Sequence, residues 1–410
     1  MKAKKYAVYS RNLFIPVLCA VFILLLILFS KTSVNAAKKG IDLWLYIVFP
    51  SLFPFFVGVE ILSATGIIRV AGVLLEPIMK PLFNLPGLSS FPFAMGIASG
   101  YPMGAKITSS LREQKLLTKN EAERLLAFSN NSGPLFIMGA VSVGMYNMPS
   151  LGIILLICHI AACITVGVIF GLISRSKSHQ KPGNTLRMTQ RLRQEYHIFK
   201  KNQNQSFGAM LGSAIVNSIM TILAIGGFII LFSVIINILI DTGVIAFAAA
   251  LAGKFFSVFG VNKDILSSLF CGFFEITTGS SMASTVSNVT LVQQLTATSA
   301  IIGWAGLSVH CQVFSITSKT DISVKPYILG KFLQGVFAAI YTFGWIKIAG
   351  MAALSTKPAS LIFNCISSKD SIWFNYSIYS LEYLVIGIAI ILICIAVSLF
   401  VHTLRMPYKN

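Results

Sequence analysis

Residues 96–105 read GIASGYPMGA and residues 272–283 read GFFEITTGSSMA: two glycine- and hydroxyl-rich interruptions in otherwise apolar sequence. They stand about 176 residues apart, and two further pairs of segments keep nearly the same offset. Ala64-Thr65-Gly66-Ile67-Ile68 is echoed by Asp241-Thr242-Gly243-Val244-Ile245, and FSNNSGPLFIMGAV at 128–141 falls opposite IIGWAGLSVHCQVF at 301–314. Three matches in one order describe an internal repeat, in which each copy carries one polar interruption too short to cross a membrane twice as regular helix.

The composition places those repeats in a bilayer. Charged residues make up 11% of the chain and hydrophobic ones 55%, against roughly 25% charged in soluble domains. Several apolar runs approach the ~20 residues that span a hydrocarbon core. The net charge of +19 does not indicate nucleic acid. Its basic residues gather at the N-terminus and in 106–124 and 175–201, flanking apolar segments, as topology signals and headgroup contacts do. The seven cysteines form no CxxC or Cys/His spacing, so neither metal nor cofactor is implied.

Each copy reads as the same succession. A spanning helix (41–63 and 209–240) leads into a short segment with scattered charge (66–84 and 244–260). A re-entrant stretch follows (88–112 and 265–287), then an interrupted helix (121–147 and 292–318) and a clean spanning helix (150–174 and 326–349). Three spans per copy is an odd number, so the second copy runs opposite to the first. With the N-terminus inside, the charged loop 112–124 and the basic linker 175–205 lie inside, the uncharged 284–298 lies outside, and Lys319 and Lys325 return inside. The expected fold is all-α and polytopic, with about eight transmembrane helices and two re-entrant hairpins in two inverted repeats. Its parts are an anchor helix (1–36), a first repeat (37–174), a linker (175–208), a second repeat (209–350), an outer loop (351–377) and a last helix (378–410). Both termini are expected inside. A cleaved signal is also readable near Val34-Asn35-Ala36, but the apolar run is long for one.

Irregular backbone is tolerated in a bilayer only where protein or a wet cavity surrounds it, and paired broken segments in two inverted halves point to a transport site near the midplane. The candidate solute-binding residues therefore fall in four places. The first tip supplies Ser99, Gly100, Tyr101, Gly104 and Lys106, and the second Glu275, Thr277, Thr278, Gly279, Ser280 and Ser281. The two helix interruptions supply Asn130, Asn131 and Ser132, and Ser308, His310 and Gln312. A lone carboxylate among apolar residues makes Glu275 a functional candidate; its structural counterpart is a residue paired with a helix dipole. Lys106 can equally snorkel to the inner surface, Asn130 and Asn131 can bond helix to helix, and His310 alone suits a core position. No GxSxG, HExxH, Walker A or GxGxxG occurs in a suitable context, so the sequence points away from an enzyme and towards secondary or facilitated transport.

SGYPMGAK at 99–106, the loop Thr118-Lys119-Asn120-Glu121-Ala122 and then FSNNSGP resemble the nucleoside-recognition or gate family. Two such domains in one chain resemble the sporulation integral membrane proteins called YlbJ or SpoVV. The resemblance covers about residues 40–350 and implies a fold related to concentrative nucleoside transporters, with two hairpins around a central site. It implies a multi-pass protein of the outer forespore membrane that moves dipicolinic acid out of the mother cell. A scaffold for spore cortex assembly and a carrier of nucleoside-like solutes are the alternative functions. The expected partners are the solute and membrane lipids, with a coupling ion and a homo-oligomer also compatible, and no nucleic acid.

Overall fold

The computed structural model describes residues 16–65, 77–175, 206–256 and 262–349, with Val73, Arg193 and Tyr196. The expected outer loop 351–377, the last helix 378–410 and most of the basic linker lie outside the described residues. Within them the chain is all helical.

Helix α1 (Pro16–Leu28) meets α2 (Ser30–Leu43) at an angle of 98°. The polar stretch 31–39 is thus helical. Its small residues Ser33, Ala36 and Gly40 share one face at helical spacing, and that face packs on α9 (Phe207–Asp241). The Ser233 hydroxyl donates to the Ala36 carbonyl at 2.8 Å, and the Thr32 hydroxyl bonds the Asp241 carboxylate. A π-helical turn at Trp44–Val48 carries the chain into α3 (Phe49–Thr65), with the Trp44 indole donating to the Ile222 carbonyl at 3.0 Å.

The first hairpin is α4 (Ser90–Ser99) and α5 (Met103–Glu113), joined by Gly100-Tyr101-Pro102. After it come α6 (Lys119–Ser129), an extended break at 130–133, the π-helical α7 (Leu135–Met145) and α8 (Ser150–Arg175). The second half repeats this order after α9 and α10 (Val244–Phe256). Its hairpin is α11 (Lys263–Phe274) and α12 (Ile276–Thr285), joined at Glu275. The broken helix is α13 (Leu291–Trp304) and α14 (Gly306–Thr317), interrupted at Ala305, and α15 (Lys325–Ala349) closes the described chain.

Among the described residues three helices are long and apolar enough to cross a membrane: 150–174, 207–241 and the pair 291–317 taken together. Counting the bent pair α1–α2 makes four. The eight expected spans exceed that count, and the last of them, 378–410, lies outside the described residues. The 11-residue α6 is ~17 Å long at 1.5 Å per residue, short of the ~30 Å hydrocarbon core. The 25-residue α15 carries Lys331 and Gln334 fully buried and does not meet the condition of length and apolarity, whereas α8, which holds buried His159, does.

The two ends of the helical body are distinguished by contacts. At one, Arg112 pairs bidentately with Asp321 at 2.8 and 2.9 Å and donates to the Leu117 carbonyl, while Glu123 accepts the Ser323 amide at 2.9 Å. At the other, Met145, Tyr146 and Met148 pack in one apolar cluster with Leu291 and Val292, and the Tyr146 hydroxyl meets Thr298 at 2.7 Å. The start of α6 therefore lies beside the end of α14, and the end of α7 beside the start of α13.

Candidate functional site

Each hairpin tip is pressed against the break in the following helix. Gly100 has φ +84°, and a Cβ there would stand 2.7 Å from the Gly133 nitrogen, so only glycine admits this approach. In the second half Gly306, at φ +81°, meets the Glu275 backbone, a Cβ standing 3.1 Å from its Cα.

The first break begins where α6 stops. A Thr118–Glu121 capping box starts that helix, but no glycine ends it. Asn130 turns extended, the Asn131 amide donates back to the Phe128 carbonyl at 2.8 Å, and Pro134 opens the next helix. The tip answers with the Tyr101 hydroxyl, which bonds the Ser132 hydroxyl.

Around this break lies a polar cluster. Asn130, Asn131, Ser132, His159, Lys331 and Gln334 are all at most 1% exposed. The Lys331 ammonium donates to the Asn130 carbonyl at 3.1 Å and to Gln334 Oε1 at 2.8 Å. Gln334 Nε2 donates to Asn131 Oδ1 at 2.8 Å and lies 3.3 Å from His159 Nε2. The Ser132 amide also donates to that His159 nitrogen, at 3.2 Å. A backbone N–H only donates, so His159 Nε2 is unprotonated and the neutral ring carries its hydrogen on Nδ1. Tyr327, fully buried, receives the Asn130 amide at 3.3 Å and sets its ring 5.1 Å from His310, linking the first break to the second.

The second tip uses its carboxylate locally. Glu275 is the N-cap of α12, its two oxygens accepting the Thr277 and Thr278 amides at 2.8 and 2.7 Å. Those donors and the positive end of the helix compensate its charge. His310 sits among Trp304, Tyr327 and Phe314 with both nitrogens unpartnered among the described residues. Trp304 itself stacks on Phe273 and donates to its carbonyl at 3.0 Å.

The sequence candidates thus separate. Gly100, Tyr101, Asn130, Asn131 and Ser132 come together at the first tip and break. Glu275, Thr277 and Thr278 form a cap. Ser99 and Ser280 are buried with hydroxyls unpartnered among the described residues, Ser308 and Gln312 are buried on α14, and Ser281 is exposed. Gly104 and Gly279 serve close packing, against the Ser129 carbonyl and against Gly272. Lys106 lies elsewhere: it pairs with Glu60 at 2.6 Å, bonds Thr221 at 2.9 Å and faces the Phe56 ring. This pair also gives Glu60 a protein partner. Lys331, Gln334, His159 and Tyr327 were not among the candidates, although an isolated lysine in the middle of a long apolar run signals such a position. Among the described residues no three His, Cys, Asp or Glu side chains group as a metal site would require.

Buried hairpins whose tips meet interrupted helices, in a strongly apolar chain whose described residues form helices without strands, define an integral membrane protein of the gate class. The sequence family described as "Gate: Nucleoside recognition" matches residues 45–175 and 222–319. The chain is also 39% identical over 314 residues, 76% of its own length and 77% of the relative's, to the Sporulation integral membrane protein YlbJ of Bacillus subtilis (strain 168). It belongs to the YlbJ family of sporulation integral membrane proteins, built on the gate domain. No solved structure matches it.

Proposed function

We propose that the protein is a secondary or facilitated transporter of a small anionic solute. Dipicolinic acid, moved out of the mother cell across the outer forespore membrane, is the favoured cargo. The observation that carries this reading is the buried centre itself, where the Gly100–Pro102 tip closes on the polar break at Asn130–Ser132 over Lys331. Broken backbone and buried polar side chains are costly in hydrocarbon, and a solute path gives that cost a purpose.

Inversion of the repeats is supported by the end contacts. The broken helix α6–α7 leaves the Arg112–Asp321 end and α13–α14 returns to it. His159 and Gln334, 175 residues apart and equivalent in the two copies, touch each other, as residues beside a pseudo-two-fold axis do. The Arg112–Asp321 end is assigned to the mother-cell cytoplasm, with both termini, because Arg112, Lys115, Lys119, Arg124, Lys319 and Lys325 cluster there.

The test is uptake of labelled dipicolinate by proteoliposomes under imposed proton, sodium and potassium gradients. Uptake that saturates supports the reading; no accumulation or release under any gradient refutes it. A nucleoside cargo is the second reading, favoured by the description of the matching family, and competition by nucleosides in the same vesicles would establish it. The capping role of Glu275 removes one argument against a pure scaffold, that such a protein needs no intramembrane carboxylate. Buried Lys331 now stands in its place.

A further inference from the structure

We infer that Lys331 is the anchor for a carboxylate group of the transported solute, held by Gln334 and Asn130 beneath the first hairpin tip. The inference deepens the transport reading and rests on it. Lys331 is 0% exposed, and among the described residues no carboxylate lies within ion-pair distance of it. Its two contacts, the Asn130 carbonyl and Gln334 Oε1, are neutral acceptors. An ammonium has three donors, so one is left over. The Glu275 carboxylate is committed to the Thr277 and Thr278 amides. A buried cation without a counter-charge is strongly unfavourable, and an anionic ligand is the partner that removes the penalty.

The neighbours are also short of partners. The tautomer imposed on His159 leaves an Nδ1 hydrogen with no acceptor among the described residues, in a side chain 1% exposed, and Asn130 Oδ1 is unpartnered at 0%. Unsatisfied buried groups gathered about one cation mark a place made for a ligand. The present conformation is closed, with Tyr101 bonded to Ser132 above the cluster, so entry requires the tip to part from the break. Lys331 lies beyond the residues matched by the gate family, which end at 319.

The experiment uses full-length protein, purified in detergent and in proteoliposomes, with pyridine-2,6-dicarboxylate and its uncharged diamide as probes. The dicarboxylate should raise the melting temperature of wild type and the diamide should not. Lys331→Met should weaken dicarboxylate binding about 10- to 100-fold, the loss for one charge-assisted contact, and Lys331→Arg should keep a larger share than Lys331→Met. Comparable stabilisation by both probes, or none by the dicarboxylate, overturns the inference without any variant. So does a monodisperse Lys331→Met protein that takes up dicarboxylate with the wild-type KM, including one that loses only its response to a pH gradient; transport then stands and the anchor falls. Lysine-dependent binding with no uptake under any gradient has the opposite meaning: the anchor stands and the transport reading falls.

Discussion

Gly104→Ala tests the close packing on which the candidate centre depends. Gly104 lies on α5 directly under the end of α6, and a Cβ there would stand 2.2 Å from the Ser129 carbonyl oxygen and 2.6 Å from its carbon. Ordinary contact begins near 3.4 Å, so the hairpin arm or the end of α6 must retreat by more than about 1 Å. The obstacle is backbone, which no rotamer change relieves. Alanine is the better helix former by about 1 kcal/mol, and overpacking costs about 1–3 kcal/mol or more. Because a second helix must move, the upper end applies and the net change is destabilising. Gly139 supplies the control: it lies on α7 with nothing within 4 Å of a built Cβ, so Gly139→Ala should be neutral or stabilising. The assay is the surviving monodisperse fraction of detergent-solubilised protein after graded heating, paired with uptake in vesicles. Gly104→Ala should melt well below wild type and Gly139→Ala at or above it. Equal melting of the two variants would refute the reasoning, since the close contact at Ser129 would then not constrain the fold.

Three further outcomes follow from the same contacts. Tyr101→Phe removes the bond to Ser132 while keeping the ring in its apolar cluster; it should destabilise the closed tip by about 1 kcal/mol, seen as faster labelling of a cysteine placed at Ser99. Glu275→Ala removes both capping bonds and should cost about 1–2 kcal/mol, whereas Glu275→Gln keeps one acceptor and should fall between that and wild type in thermal stability. At the charged end, the Arg112 guanidinium bonds Asp321 and holds its carboxyl below the usual value of 3.8. A depressed carboxylate contributes above its unfolded pKa, and that contribution is lost as pH falls through the lower folded value. The pair should therefore add no pH dependence to uptake between about pH 5 and 8, and Asp321→Asn with Arg112→Gln should show a coupled, non-additive double-mutant cycle there.

Much of the architecture was legible because it rests on patterns local in sequence. Low charge with long apolar runs required a membrane, and two matched polar interruptions required two places where helix gives way. Gly100, Asn130-Asn131-Ser132-Gly133-Pro134 and Glu275 all stand where the helices stop. What the sequence left open has one physical origin. A charged side chain in an apolar stretch announces that it needs a partner but not which one. Glu275 finds it two and three residues along its own chain, and Lys106 finds it in Glu60 on α3. Lys331 was passed over because hydropathy averages a helix around its circumference. The inner face of α15, with Lys331 and Gln334, vanished beneath outward Leu329, Phe332, Val336, Ile340 and Phe343.

The sequence by itself determined that the chain is helical and membrane-embedded and where its helices are interrupted, since composition, spacing and helix-breaking chemistry are properties of short segments. Only the tertiary structure decided which polar groups meet. It brought Asn130 to Lys331, 201 residues away, and His159 to Gln334, 175 residues away, while turning Glu275 back on its own helix. Such pairings depend on how helices from the two halves cross, and that is set by packing at glycine-sized gaps rather than by any local preference of the residues that end up in contact.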